Sequence, residues 1–326
     1  MTQPSTANVR TANAATVDEF AADVRYYLSL EPRQLPSQYL YDALGSALFE
    51  AICLLPWYAV TRAESRLLAA HADAVFAGAG PVSTLVELGP GSGAKLRLLL
   101  DSAASRRGPL DVHLVDVSAS ALAVAAQTLE PLPDVRVVTH QATYDAGLRD
   151  ARAWAGGRTL VAFLGSNIGN FDPAGAAALL HNLRASLAPG DALLLGVDLV
   201  KSEQTLLLAY DDPIGLTAAF NKNLLLRINR ELGGTFDLDQ FAHRAVWDAG
   251  ASRVEMHLVA RASQAVHIPG AAMDFRIEAG EWIWTESSYK YDLDDLAGRL
   301  KSCGFRMAEQ WVDQGDGFAL TLAAAV

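Results

Sequence analysis

The chain has 326 residues, with 26 Lys+Arg against 37 Asp+Glu and a formal net charge of -11 at pH 7. That balance excludes the basic footprint that nucleic-acid binding needs. The hydrophobic share of 51% against 19% charged residues excludes disorder over most of the length. A single core stops growing near ~250–300 residues, so two domains are expected. The two cysteines, Cys53 and Cys303, form no CxxC pair and no disulfide framework, and both read as apolar fillers. The opening MTQPSTANVR lacks the apolar stretch of a signal peptide, and the later apolar runs are short and broken by charges. The expectation is a cytoplasmic protein with no membrane segment.

After the polar lead, Thr16 and Glu19 stand three positions apart before the apolar spacing of Phe20, Val24 and Leu28. This is a capping box opening an amphipathic helix. From Arg33 to Ala70 helix formers are punctuated by Pro36, Gly45 and Pro56, which suggests an N-terminal lobe of short helices. From Thr84 onward apolar runs alternate with Ala/Leu-rich helical segments. The runs are Thr84–Leu88, Val112–Val117, Val135–Val138, Thr159–Leu164 and Ala192–Leu199. Near-continuous apolar strands alternating with helices predict a parallel, doubly wound α/β sheet.

Beyond Lys201 the alternation stops in favour of a helical stretch to about Leu232 and then mixed strand-like runs to Tyr291, so this segment reads as an insertion. A helix over Leu293–Ser302 and a hairpin of Phe305–Val312 with Phe318–Leu322 close the chain. A hairpin ending an otherwise parallel sheet is a feature of class I methyltransferases.

The strongest local motif is Glu87-Leu-Gly89-Pro-Gly91-Ser-Gly93, directly after the first strand of the alternation and before the helix beginning near Lys95. Glycines let a ligand approach the backbone, and the following helix offers unpaired N–H donors. With Ala94 in the last position the spacing also accommodates a dinucleotide fingerprint, so a nicotinamide-dependent oxidoreductase stays open on the loop alone. Glu87 before the first glycine, Asp116 at the end of the next strand and the terminal hairpin move the reading towards S-adenosylmethionine, with Asp116 accepting from the ribose hydroxyls. A silent binding protein on the same fold is the other rival.

The seven histidines never fall at HExxH spacing and lack clustered Cys or Asp partners, so no metal is expected. His140 and His257 read as structural or as pocket-lining. No GxSxG elbow and no P-loop occurs.

Five segments carry a closer likeness: Leu35-Pro-Ser-Gln-Tyr-Leu-Tyr41-Asp-Ala-Leu-Gly-Ser46, Phe163-Leu-Gly-Ser-Asn-Ile-Gly-Asn170, Ala209-Tyr210-Asp-Asp followed by Thr217-Ala-Ala-Phe-Asn221, Arg253-Val-Glu-Met256, and Thr285-Glu-Ser-Ser-Tyr-Lys-Tyr291. Through them the chain resembles, over nearly its full length, the histidine Nα-methyltransferases of the ergothioneine pathway. The resemblance implies a methyltransferase that trimethylates the α-amine of L-histidine with S-adenosylmethionine and no metal. The same chemistry on another amino acid, such as tryptophan, is the alternative.

By this resemblance Tyr41, Gly89, Gly91, Lys95, Asp116, Thr143 and Tyr144 contact the cofactor. Tyr58, Asn170 and Tyr210 hold the amino-acid head group, while Glu286 and Ser288 grip the imidazole and Met256 shapes that end of the pocket. Read as residues alone, Tyr58 and Tyr210 also suit an amphipathic core, Lys95 a solvated first turn and Met256 a gap. Glu286 and Ser288 alternate on a strand-like run and so share a face. No side chain stands out as a general base.

The chain departs from the family at Ala59 and Val60, where tyrosine and proline usually follow the matched Tyr58. It departs again at Thr143, where an Asp is usual and a hydroxyl accepts more weakly. Trp282 and Trp284, beside the imidazole segment, are expected to narrow the pocket. The implied division assigns residues 1–62 and 200–290 to histidine binding, and 63–199 and 291–326 to the cofactor, in a monomer.

Overall fold

The helix expected after the polar lead runs Val17–Leu28 (α1) and buries Phe20, Val24 and Leu28. Thr16, its expected cap, and the opening decapeptide lie outside the residues described, which are 17–104 and 108–326 of a computed structural model. Arg33–Gln34 (β1) and a 3-10 turn lead to Ala43–Cys53 (α2), whose first turn is capped by Asp42 accepting from the Gly45 N–H at 2.7 Å. Val60–Ala79 (α3) follows.

All five apolar runs form strands. The alternation is Val82–Leu88 (β2), Ala94–Ser102 (α4), Leu110–Asp116 (β3), Ala119–Leu129 (α5), Val135–Gln141 (β4), Tyr144–Trp154 (α6), Arg158–Phe163 (β5), Pro173–Ser186 (α7) and Ala192–Asp198 (β6). Every residue of β6 is buried, as a strand covered on both faces requires. The segment read as an insertion contains Glu203–Tyr210 (α8), Leu216–Leu232 (α9), Phe241–Asp248 (β7), Arg253–Ala260 (β8), Gln264–Ile268 (β9), Met273–Ile277 (β10) and Trp282–Tyr289 (β11). Leu293–Ser302 (α10), Phe305–Asp313 (β12) and Phe318–Ala325 (β13) end the chain.

The large sheet has the order β12-β13-β6-β5-β2-β3-β4. β13 runs antiparallel between β6 and β12, and the other pairs are parallel. This is the doubly wound sheet of a class I methyltransferase with its terminal hairpin. The chain steps outward from β2 through β3 to β4, then returns to lay β5 and β6 on the other side. The crevice beyond the carboxyl ends of β2 and β5 is therefore the switch point at which such sheets bind ligands.

A second sheet, β1-β11-β8-β7, carries the other half of the site. β1 pairs parallel to β11, which fastens the N-terminal lobe to the insertion. One apolar cluster runs from Phe20 of α1 under α3 and α4 to Leu258 of β8 and Ile283 of β11; a second fills the opposite face of the large sheet beneath α7 and α10. The 62/63 boundary falls inside α3, while 200 and 290 fall at the join where Leu199 bridges Tyr291.

Candidate active site

Two cavities meet at the switch point. The larger, a cleft of about 800 Å³, is walled by Gly89 and Gly91 after β2, Asp116 at the end of β3, Thr143 and Tyr144 at the start of α6, and Tyr41 from the N-terminal lobe. Gly89 has φ of 72°, and a Cβ there would stand 2.7 Å from Asn167 Nδ2 and 3.0 Å from the Tyr144 hydroxyl. A side chain is excluded by both conformation and space, so the loop backbone itself faces the cleft.

Asp116 lines the cleft, and Glu87 is buried behind the loop, outside the cleft wall. Burial pushes Asp116 up to about 6, opposed by backbone N–H donors that include Ser118 at 2.8 Å. Both Glu87 oxygens are buried without a hydrogen bond. Desolvation pushes Glu87 up to about 8, with Lys95 opposing and the Glu64 and Asp116 charges adding. A ligand that brings hydroxyl donors satisfies Asp116 directly, and positive charge in the cleft offsets the buried negative charge behind it. S-adenosylmethionine, with ribose hydroxyls, an ammonium and a sulfonium, fits that demand.

Lys95 is placed differently from the other expected cofactor residues: it is absent from the cleft wall. Its ammonium donates to Glu64 Oε2 at 2.9 Å. Burial pulls Lys95 down, but the Glu64 charge and hydrogen bond more than offset it. Glu64, fully buried on α3, also accepts from the Gly165 N–H at 2.8 Å. The pair thus ties α3 and α4 to the loop after β5. A glutamate at a core-facing position, beside Ala63 and Leu67, was the signal in the sequence for it.

The second cavity lies deeper and contains all six expected substrate residues: Tyr58, Asn170, Tyr210, Met256, Glu286 and Ser288. Its free volume of about 30 Å³ is room for about two waters. Tyr41, Phe49, Asn167 and Asn170 line both cavities, so the two share a wall. Asn167 and Asn170 come from a single 3-10 turn after β5. The aromatic side is knit by edge contacts, Tyr41 to Phe49 at 5.5 Å and Tyr58 to Tyr210 at 6.3 Å between centroids. Burial raises the phenols of Tyr41, Tyr58 and Tyr210, so all three stay protonated.

Glu286 occupies the far end. Desolvation pushes its carboxyl up to about 7, with the Lys290 charge opposing. Its neighbour Ser288 accepts from the Tyr210 hydroxyl at 2.8 Å. A register shift between Trp284 and Glu286 places Thr285 in a bulge, with Trp284 opposite His257 and Glu286 opposite Met256. This overturns the expectation for the tryptophans. Trp282 stacks on His257 at 4.2 Å, Trp284 donates to the Glu286 carbonyl at 2.9 Å, and neither lines either cavity.

His140 pairs with His113 at 2.8 Å and His257 with Glu255 at 2.9 Å, both away from the cavities. Val60 lines the deep pocket, and Ala59 precedes α3 without a side-chain cap. Phe49, Asn167 and Phe220 were missed, although Asn167 and Phe220 lie inside the segments that carried the resemblance. Among the described residues no group of three or more His, Cys, Asp or Glu is placed to hold a metal.

A family described as "Histidine-specific methyltransferase, SAM-dependent" matches residues 20–325. The histidine N-alpha-methyltransferase of Mycolicibacterium smegmatis is 40% identical over 331 residues, covering 98% of each chain. That of Mycobacterium tuberculosis is 40% identical over 304 residues, covering 93% of this chain and 94% of the other. Ergothioneine biosynthesis protein 1 of Neurospora crassa is 28% identical, covering 97% of this chain and 37% of that protein.

Proposed function

Because the chain belongs to the family of SAM-dependent, histidine-specific methyltransferases, we propose that it transfers three methyl groups in succession to the α-amine of L-histidine. The product is the betaine hercynine, the first intermediate of ergothioneine biosynthesis. The observation that carries this reading is the shared wall: a glycine-lined cleft bordered by Asp116 meets, at Tyr41 and Asn170, a small pocket lined by Glu286 and Ser288.

When bound, S-adenosylmethionine supplies a methyl already activated on its sulfonium. Asp116 accepts from the ribose hydroxyls, Thr143 and Tyr144 border the adenine, and the backbone at Gly89 and Gly91 permits close approach. Tyr58, Asn170 and Tyr210 hold the substrate's head group so that its amine meets the shared wall; alignment of this kind is the main source of rate here. Glu286 accepts the ring N–H, Ser288 serves the second ring nitrogen, and Met256 limits ring size. The pocket's small volume requires Tyr41, Phe49, Tyr58 and Phe220 to shift outward for the ring, which then fills the space that water would occupy.

The proton balance needs no side-chain base. Buried tyrosines keep their protons; the amine loses one proton to solvent before entry and one more to solvent after each of the first two transfers, when the site opens between rounds.

Residues 1–62 and 200–290 are assigned to histidine and 63–199 with 291–326 to the cofactor, the chain acting as a cytoplasmic monomer. No helix among the described residues is long and apolar enough to cross a membrane. The test is incubation with S-adenosylmethionine and a mixture of amino acids, read by mass spectrometry. Histidine should gain one, two and three methyl groups while the others stay unchanged. Methylation of tryptophan in place of histidine would overturn the substrate.

A further inference from the structure

Lys290, one residue beyond the strand that carries Glu286 and Ser288, takes no part in the mechanism above and lines neither cavity. Its side chain is 0% exposed. Burial alone would pull such an ammonium down, yet Lys290 is raised, because the Tyr210 and Asp198 oxygens around it more than offset desolvation. It therefore stays charged, with three N–H donors and no acceptor.

Three oxygens meet those donors: the Tyr210 hydroxyl at 2.7 Å, Ser288 Oγ at 2.8 Å and Asp198 Oδ2 at 3.0 Å. Asp198, at the end of β6, is itself pinned. Its other oxygen accepts from Lys201 at 2.6 Å, its N–H donates to Ser166 Oγ at 3.0 Å, and its carbonyl accepts from the Tyr291 N–H at 3.0 Å. Lys290 is thus fixed against the end of the large sheet.

The hydrogen count then constrains Ser288. Tyr210 keeps its proton and gives it to Ser288 Oγ at 2.8 Å. Ser288 Oγ accepts from both Tyr210 and Lys290, which fills its two acceptor positions. Only its own proton remains to offer to the pocket it lines.

We propose that Lys290 is a positioning residue that, with Tyr210, holds the Ser288 hydroxyl as a donor alone, so that the pocket takes a neutral azole presenting a bare nitrogen to Ser288 and an N–H to Glu286. The inference rests on the histidine reading and deepens it from a ring to one tautomer of that ring. An imidazolium, with N–H at both positions, meets the Ser288 hydroxyl proton to proton. So does the pyrrolylalanine isomer whose single N–H falls at the Ser288 position.

The test measures kcat and KM for histidine and for the two pyrrolylalanine isomers, with the binding of S-adenosylhomocysteine as a check on folding. The unmodified protein should prefer histidine over both isomers. In Lys290→Met one acceptor position of Ser288 is released, and the preference over the isomer with N–H at Ser288 should fall about tenfold, the equivalent of one hydrogen bond, chiefly in KM. Should that variant not fold, Ser288→Ala keeps Lys290 and removes the donor; histidine should then lose its lead over the isomer with N–H at Glu286, and the isomer with N–H at Ser288 should gain on both while staying behind, because it still leaves Glu286 unmet.

A uniform loss for all three substrates in Lys290→Met, or unchanged isomer ratios in Ser288→Ala, would overturn the assignment and leave Lys290 as packing or bulk charge. Failure of the unmodified protein to methylate histidine would remove the substrate reading and this inference together. Normal histidine turnover with unmoved isomer ratios would remove the inference alone.

Discussion

The cofactor cleft and the deep pocket share a wall but are built in opposite ways. One side of the cleft comes from the N-terminal lobe, but its floor is assembled from turns at the ends of neighbouring strands, where Gly89, Asp116, Thr143 and Asn167 each stand within a few residues of a strand terminus, so the sheet positions them. The pocket draws single side chains from segments far apart in sequence: Tyr58 before α3, Asn170 after β5, Tyr210 at the end of α8, Met256 on β8 and Glu286 on β11. The first is a property of the fold and suits any chain that needs the same donor. The second is particular to this chain, and its selectivity depends on how the two sheets are held together.

The largest effect should come from the deep pocket. A site built to hydrogen-bond its substrate rejects an unmatched one by about 10⁴–10⁵, and an indole offers one N–H and no bare nitrogen. Histidine should therefore lead tryptophan by that order in kcat/KM. Glu286→Ala combined with Met256→Val should collapse the lead by removing the polar demand and adding room. A histidine preference that survives intact in the double variant means Glu286 does not read the ring.

The same carboxyl makes the empty pocket costly to the fold. The folded state raises Glu286 from 4.5 to about 7, which favours the neutral form. The penalty is thus absent below the unfolded value, grows as pH rises between the two, and reaches about 3 kcal/mol above pH 7. Glu286→Gln should raise the melting temperature at pH 8 in the absence of histidine, with the gain vanishing towards pH 4.5. A gain independent of pH would assign the effect to packing.

On the shared wall, Asn170→Ala should lower kcat/KM for histidine by about 10²-fold, the scale of a misplaced nucleophile, with a much smaller change in S-adenosylhomocysteine affinity. Equal losses in both would move Asn170 to the cleft side of the comparison.

The smallest of these effects lies in the cleft. Asp116→Ala should weaken S-adenosylhomocysteine by about 2 kcal/mol, the usual scale for a charge-assisted hydrogen bond, while the KM for histidine at saturating donor stays near its original value. Calorimetry that finds an unchanged dissociation constant would end the ribose role of Asp116.

The sequence by itself determined the large sheet, its terminal hairpin and the glycine loop. Buried parallel strands must be apolar along their whole length, and a loop that lets a ligand reach the backbone must carry glycine; both requirements are local and leave contiguous traces. β1 left no trace, since two residues have no periodicity and pair only because β11 is there to receive them.

Tertiary structure decided the rest of the pocket. Trp284 and Glu286 alternate in sequence as if they shared a face, but the bulge at Thr285 breaks the period and sends Trp284 outward. Lys290 reads as an ordinary charged position until folding strips it of water. A buried ion must find its partners wherever the chain brings them, and those of Lys290 come from β6, α8 and β11. Sequence neighbours carry no record of such a meeting, because the constraint that selects those partners is the cost of desolvation, which exists only once the core has closed.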